Sequence, residues 1–120
     1  MDKILFRGKR IDNGEWAYGT ALLWNGKAKI IKHRLCINNN WITVDFMVIS
    51  ESVGQFTGLL NKDGSKLFSG KIRIDINGVG GGDAEIEMYQ GQWQIQETAQ
   101  GYFPLYRALK RDDFTITQEQ

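Results

Sequence analysis

Short runs of alternating apolar and polar residues fill most of this chain, and pairs of small polar residues separate the runs. Turns of this kind are predicted at Asn13-Gly14, at Asn25-Gly26 and within Asn38–Asn40. Asn and Gly tolerate the positive φ that two-residue hairpin turns require. The pattern therefore predicts consecutive antiparallel hairpins, with both Asn13 and Gly14 at positive φ in the first turn.

The run at residues 41–49 carries apolar residues on both of its faces. One face holds Ile42, Val44, Phe46 and Val48, and the other holds Trp41, Thr43, Asp45 and Met47. Strands that are apolar on both faces are typical of the interior of a covered sheet. We therefore expect this strand to be central, or covered on both sides.

The C-terminal half predicts a sheet with one apolar face. Ile72, Ile74 and Ile76 share a face of the run at 71–77. In residues 84–96, a turn at Gln90-Gly91 would pair Met88 with Trp93 and Ile86 with Ile95, so that apolar residues meet apolar ones. A short helix is predicted at residues 104–111, with Pro104 as its first helical residue.

Residues 51–70 lack an obvious hydrophobic period. The Asp63-Gly64 pair predicts a tight turn between two extended pieces, Gln55–Leu59 and Lys66–Phe68. If Phe56 faces inward, Gln55 and Thr57 face outward. We expect an ordered connector and not a phosphate-binding loop, because Gly64 is followed by Ser-Lys and not by the Lys-Ser/Thr of a P-loop.

The length and composition favour one small, mainly β domain. The chain has 120 residues, with 14 Gly, 1 Pro and 14 aromatic residues (4 Trp, 4 Tyr and 6 Phe), and aromatic residues favour strands. The predicted organisation is an antiparallel meander in residues 1–50, the connector at 51–70 and a C-terminal β subdomain at 71–120. The strand lengths suggest an SH3-like barrel or half barrel for that subdomain, with at most one short helix.

No apolar run approaches the roughly 18 residues that a membrane span needs, so no membrane partner is expected. The N-terminus carries too short an apolar stretch for a signal peptide. The single cysteine, Cys36, cannot form an internal disulfide. Together these features predict a cytosolic protein.

Three patterns invite a chemical interpretation, and none is complete. The glycine-rich segment 77–86 lacks the nucleotide-binding spacing and precedes a strand, so it is interpreted as a mobile hairpin loop. Asp83, Glu85 and Glu87 share one face of a strand, as on the solvated side of an edge strand. His33 and Cys36 have no second pair of metal ligands and point to opposite faces. We expect no catalytic residues, no metal site and no cofactor.

The charge is unevenly distributed along the chain. Residues 1–41 carry eight Lys or Arg against three Asp or Glu, whereas residues 42–120 carry seven against eleven. Small β-barrels bind single-stranded nucleic acid by combining basic grooves with stacking aromatic residues. The candidate contacts for nucleic acid or another partner are Trp24, Lys27, Lys29, Lys32, Arg34 and Trp41, on and around the basic strand 27–34, with Arg7, Lys9 and Arg10 as further cations.

Two segments resemble the YopX family of phage and prophage proteins. "ILFRGKRIDNGEWAYG", residues 4–19, is similar to the opening of the family, and "VGQFTGLLNKDGSKLFSGKI", residues 53–72, is similar to its most characteristic stretch. The motif residues are Phe6, Arg7, Gly8, Lys9, Arg10, Gly14, Trp16, Gly19, Gly54, Gln55, Phe56, Thr57, Gly58, Gly64 and Gly70. Ser69 and Lys71 stand where the family usually has acidic residues, so any function of that acidic pair is lost or altered here.

The resemblance implies a phage or prophage origin, a place in the cytoplasm of the bacterial host and a mainly β fold, and it brings no established catalytic residues. We therefore expect a non-enzymatic module that binds a protein partner or assembles with itself, because strands such as 41–49 need cover. The alternative is an accessory protein that binds single-stranded nucleic acid through strand 27–34.

Overall fold

A computed structural model describes residues 4–78, 80–97 and 101–119, with the side chains of residues 33–35 outside that description. The chain divides into two compact units, residues 1–56 and 57–120, and the boundary falls inside the predicted connector. Within the described residues, the mainly β class, the antiparallel sheets and the short helix are confirmed. The strands are β1 Phe6–Lys9, β2 Trp16–Trp24, β3 Lys27–Ile37, β4 Asn40–Val48, β5 Gly54–Leu60, β6 Lys66–Phe68, β7 Gly70–Ile76, β8 Gly81–Tyr89, β9 Gln92–Glu97, β10 Gly101–Pro104 and β11 Phe114–Thr117, and the helix is α1 Leu105–Lys110.

The N-terminal unit is the predicted meander. Strands β4, β3, β2 and β1 are neighbours in that order, and the start of β5 pairs with β1. The predicted turns at Asn25-Gly26 and within Asn38–Asn40 are confirmed, and Asn25, Gly26, Asn38 and Asn39 all have positive φ. The first turn differs, because only Gly14 has positive φ and the side chain of Asn13 instead accepts a hydrogen bond from the Glu15 N–H. That side-chain bond stabilises a longer loop in place of the two-residue turn.

The core of this unit lies on one face of the meander. Its buried residues are Ala17, Ala28, Ile30 and Val48, with Phe6 and Phe46 packed against them. A bridge between Arg10 and Val48 links the end of β1 to the end of β4. There the Ile49 N–H donates to the Lys9 carbonyl at 2.8 Å, and the Ile11 N–H donates to the Met47 carbonyl at 3.0 Å.

The expectation that strand 41–49 is central or covered is wrong. Strand β4 lies at the edge of its sheet: β3 pairs with one side, and on the other side the bridge to Arg10 covers only the end at Val48. Trp41, Ile42 and Met47 are exposed. The sequence pattern of a covered strand is therefore present on a strand whose outer side, along residues 42–46, pairs with no other described strand.

The C-terminal unit is built on an open five-stranded sheet, consistent with a half barrel, in the order β10-β9-β8-β7-β11. The predicted hairpin is confirmed, with Met88 opposite Trp93 and Ile86 opposite Ile95. Pro104 immediately precedes α1 instead of starting it, because its ψ of 130° is extended. The core beneath the sheet is formed by Leu67, Ile72, Ile74, Ala84, Ile86, Ile95, Leu105, Ala108, Phe114 and Ile116.

The prediction that Asp83, Glu85 and Glu87 lie on an edge strand is wrong, because β8 is flanked by β7 and β9. Asp83 lies opposite Arg73, with the carboxylate and guanidinium 3.8 Å apart. The hydrogen bond to Glu87 raises the pKa of the Tyr102 phenol. Asp83 and Glu87 therefore lie beside a guanidinium and a phenol of neighbouring strands and not at an open sheet edge.

The connector contains the two predicted extended pieces, β5 and β6. The expectation that Thr57 faces outward is wrong: Thr57 is buried, and its hydroxyl donates to the Leu67 carbonyl at 2.9 Å. A second buried polar contact anchors β6. The Gln118 amide donates to the Phe68 carbonyl at 2.7 Å and accepts from the Phe68 N–H at 2.9 Å.

Candidate binding surface

The basic N-terminal residues of the family-like motif make structural contacts. Arg7 is 3% exposed, and its guanidinium lies 3.8 Å from the centre of the Trp16 ring. Arg10 forms a bidentate pair with the Asp12 carboxylate and also lies 4.1 Å from the ring centre of Phe46. Both guanidinium groups already contact neighbouring side chains of the same unit. This disfavours Arg7 and Arg10 as nucleic-acid contacts.

Two motif glycines are required by close packing. A Cβ at Gly8 would lie 2.8 Å from a methyl group of Val48. A Cβ at Gly19 would lie 2.1 Å from the carbonyl oxygen of Ile31 on the neighbouring strand. The N-terminal motif therefore specifies how the meander packs and not a ligand site.

Trp24, Lys27 and Lys29 do meet, at one end of the meander. Trp24 pairs directly with Lys27 across the turn, and the Lys29 ammonium lies 5.9 Å from the Trp24 ring centre. The same ammonium is 3.3 Å from the Asp45 carboxylate. An aromatic ring with two cations can hold one stacked base, but Asp45 partly neutralises this cluster.

Trp41 lies far from that cluster. Trp24 is opposite Lys27 and Trp41 is opposite Cys36, so the two indoles are separated by most of β3. At a strand rise of about 3.3 Å per residue, that separation is roughly 25 to 30 Å. The two candidate tryptophans therefore lie near opposite ends of β3 and do not belong to one compact site.

Lys32 is exposed at a bulge in β3, where the register with β4 shifts between Ile31 and His33. The backbone of Arg34 pairs with Thr43. The side chain of Arg34 lies outside the described residues, as does that of His33, so the candidate basic strand is placed only in part.

The outer edge of β4 is the most distinctive surface of the N-terminal unit. We call residues 40–46 on this side the β4 edge. In the described chain no strand pairs with the outer side of residues 42–46. Trp41 is 65% exposed, and Ile42 and Ile37 are also exposed. Backbone donors and acceptors therefore lie beside apolar side chains, which is the arrangement that another strand can extend.

A groove borders the other end of the same strand. We call it the apolar groove, and its volume is about 470 Å³. Ile11, Met47 and Ile49 line it, and all three are exposed. Lys27 and Glu51 also contribute to the lining. The size and apolar lining suit one large apolar side chain.

The ionisable groups form local pairs and not a reactive cluster. The hydrogen bond from Arg10 lowers the pKa of the Asp12 carboxyl, and the hydrogen bond from Arg111 lowers that of Asp113. Hydrogen bonds from Ser65 lower the pKa of Asp63. Across residues 4–78, 80–97 and 101–119, no group of His, Cys, Asp and Glu side chains is placed to hold a metal ion. In the same residues no helix is long and apolar enough to cross a membrane.

The chain matches no family model, no curated protein and no solved structure. The resemblance to the YopX family therefore stays a prediction that rests on the two motifs.

Sequence reasoning identified Trp41 but missed the groove. Ile11 follows the first strand as one apolar residue in a polar loop, "RIDNGE", and nothing local distinguishes it. Its position beside Met47 depends on the bridge between Arg10 and Val48, which joins residues far apart in sequence. The one sequence feature that pointed to this binding surface was the pattern of residues 41–49, which is apolar on both faces of the strand.

Proposed function

We propose that this chain is a non-enzymatic binding and assembly module of a phage or prophage, and that it acts through the β4 edge and the apolar groove. The observation that carries the proposal is the mismatch between the sequence of β4 and its place in the sheet. Its pattern is typical of a covered strand, whereas β4 lies at the edge with Trp41, Ile42 and Met47 exposed. The motif resemblance supports the origin.

An exposed edge strand of this kind binds by strand addition. The backbone supplies hydrogen bonds, and alternate side chains supply specificity. Monomers seldom leave apolar edges unprotected, because such edges pair with other chains. The partner is therefore a polypeptide that contributes a strand and at least one large apolar side chain.

The test compares two glutamate substitutions at exposed apolar positions. A tagged chain is produced in bacteria together with an untagged copy, and the polypeptides recovered in stoichiometric amount are identified. We expect Trp41→Glu to lose the recovered polypeptide. Leu60→Glu, at an exposed leucine outside both surfaces, should retain it. Recovery of no stoichiometric polypeptide with the unmodified chain would contradict the proposal.

A second candidate function is binding of single-stranded nucleic acid. The observation that favours it is the cluster of Lys27, Lys29 and Trp24. Its expected signature is an affinity that falls steeply with salt and is lost on reversing the charges of Lys29, Lys32 and Arg34. When labelled single-stranded nucleic acid is titrated with the chain at low salt, its fluorescence anisotropy should rise. No change in anisotropy would contradict this function.

A further inference from the structure

We propose that Asn25 is a site of spontaneous modification, at which the folded chain deamidates without an enzyme. The product carries aspartate or isoaspartate at this position, in the turn where Trp24 of β2 pairs with Lys27 of β3. The inference goes beyond the proposed function, since the reaction needs no partner.

The reaction is an intramolecular attack for which an Asn-Gly pair is well suited. The backbone nitrogen of the glycine bonds to the side-chain amide carbon of the asparagine and gives up its proton. The amide C–N bond breaks, and the amide nitrogen leaves with that proton as ammonia. Water then opens the five-membered succinimide at either carbonyl, which yields aspartate or isoaspartate. Glycine favours the attack because it has no Cβ to obstruct the approach.

The chain contains three Asn-Gly pairs, Asn13-Gly14, Asn25-Gly26 and Asn77-Gly78. Their dipeptides are identical, so any difference in rate between them must come largely from the fold. The third pair adjoins residue 79, which lies outside the described residues. The structure distinguishes the first two.

At the first pair, hydrogen bonds hold both reacting groups. The Gly14 N–H, which must give up its proton, donates to the Arg10 carbonyl at 3.0 Å. The side-chain oxygen of Asn13 accepts from the Glu15 N–H at 3.0 Å, and the side-chain nitrogen donates to the Glu15 carboxylate at 3.4 Å. Ring closure rotates this side chain and would break those bonds, at a cost in free energy. We therefore expect Asn13 to react slowly.

At the second pair, neither reacting group is held in this way. Asn25 and Gly26 form a two-residue turn with φ of 46° and 74°, and both are exposed. Among the described residues, the Asn25 side chain has no hydrogen-bond partner and the Gly26 N–H donates to no backbone carbonyl. A Cβ at Gly26 would meet nothing within 4 Å. Local opening of an exposed turn costs little free energy, so the fold leaves Asn25 reactive.

Deamidation changes both the charge and the backbone of this turn. A carboxylate at position 25 adds one negative charge next to Lys27, beside the cluster in which the Lys29 ammonium lies 5.9 Å from the Trp24 ring centre. Isoaspartate also inserts a methylene group into the backbone of a turn whose twist matches its two strands. The basic cluster therefore loses positive charge as the chain ages.

The test follows both sites in one sample of the folded chain, incubated at neutral pH. Cleavage after Arg10, Glu15 and Lys27 places the two asparagines in separate peptides, residues 11–15 and 16–27. Mass spectrometry measures the deamidated fraction of each peptide over time, and a sample digested at time zero corrects for reaction during digestion. We expect Asn25 to react about tenfold faster than Asn13, because the hydrogen bonds at the first pair must open before it reacts.

Two controls separate the effect of the fold from that of the dipeptide. In guanidinium chloride the chain is unfolded, and both asparagines should react at similar rates. Asn25→Gln should leave the peptide of residues 16–27 unmodified, because the longer side chain must close a less favourable six-membered ring. Glutamine suits this turn, since Gln90 has a φ of 51° in the turn at Gln90-Gly91.

Equal rates at Asn13 and Asn25 in the folded chain would overturn the proposal, as would a faster reaction at Asn13. An intact Asn25 in the folded chain, under conditions in which the unfolded chain deamidates, would overturn it as well. None of these results changes which polypeptide is recovered through Trp41, so the failure of this inference is distinct from that of the proposed function.

Discussion

The guanidinium of Arg7 lies 3.8 Å from the centre of the Trp16 ring, in a place where the arginine is almost fully buried. The sequence alone predicts this arginine as a further cation of a surface for nucleic acid or another partner. Its burial gives it a structural role in the meander. A desolvated cation over an indole is worth more than an exposed one.

Replacing Arg7 should therefore destabilise the fold. We expect Arg7→Met, which keeps the aliphatic stem and removes the charge, to lower the free energy of unfolding by about 1 to 3 kcal/mol. Lys9→Met changes a neighbouring cation whose ammonium lies farther from the same ring, at 5.6 Å, and should cost less. Urea unfolding measures both. Equal costs for the two variants would contradict the role of the Arg7 contact.

The contact between Gly8 and Val48 predicts a steric coupling. Gly8→Ala places a methyl group 2.8 Å from a Val48 methyl and should cost about 1 to 3 kcal/mol, as overpacking does. Val48→Ala removes the obstructing methyl groups. In a double-mutant cycle of unfolding free energies, the double variant should be more stable than the sum of the single effects predicts. Strict additivity would show that the two residues do not press on each other.

The two hydrogen bonds of the buried Gln118 amide predict that replacing this residue strongly destabilises the C-terminal unit. Gln118→Leu leaves the N–H and carbonyl of Phe68 without their side-chain partner, and the loss should be about 2 kcal/mol or more. Thr117→Ala, at the exposed neighbouring position, is the control and should change little. Thermal unfolding followed by circular dichroism distinguishes them. A stable Gln118→Leu variant would contradict the anchoring of β6.

The lowered pKa values of three carboxyl groups predict how the free energy of unfolding depends on pH. Hydrogen bonds lower the pKa of Asp12, Asp63 and Asp113 in the folded chain. A group with a lowered folded pKa contributes stability above its unfolded pKa, here near 3.8, and loses it as the pH falls through the folded value. Unfolding free energy should therefore fall below about pH 4.

The matched comparison for that dependence replaces all three aspartates with asparagine. We expect a flatter profile of unfolding free energy between pH 5 and pH 2 for the triple variant, because three of the groups that take up protons on unfolding are gone. Coincident profiles for the variant and the unmodified chain would assign the acid sensitivity to other groups.

The sequence was sufficient for local structure wherever one pattern dominated. The hairpin with Ile86 opposite Ile95 followed from cross-strand pairing, and the turn at Asn25-Gly26 followed from residue chemistry. Both depend on residues close together in the chain. Long-range contacts were not predictable in this way. Gln118 bonds Phe68, fifty residues away, and Thr57 is buried because of its contact with Leu67.

The candidate surface was predicted only in part, for a related reason. Alternation identifies which residues of β4 share a face, but it cannot tell whether the cover comes from the same chain or another. The separation of Trp24 from Trp41 likewise follows from the length of β3 and its register with both neighbours. Proximity in sequence to a basic strand did not imply proximity to one site.

Amide hydrogen exchange of β4, measured on the chain alone and with the polypeptide recovered together with it, tests strand addition at the β4 edge most directly. The Met47 carbonyl accepts from the Ile11 N–H and so points away from β3, and successive residues of a strand direct their backbone groups to alternate sides. The N–H groups of Ile42 and Val44 therefore face β3 and should exchange slowly in both samples. Those of Thr43 and Asp45 face outward and should slow only when the recovered polypeptide is bound. Rapid exchange of Thr43 and Asp45 in the presence of that polypeptide would contradict strand addition at the β4 edge.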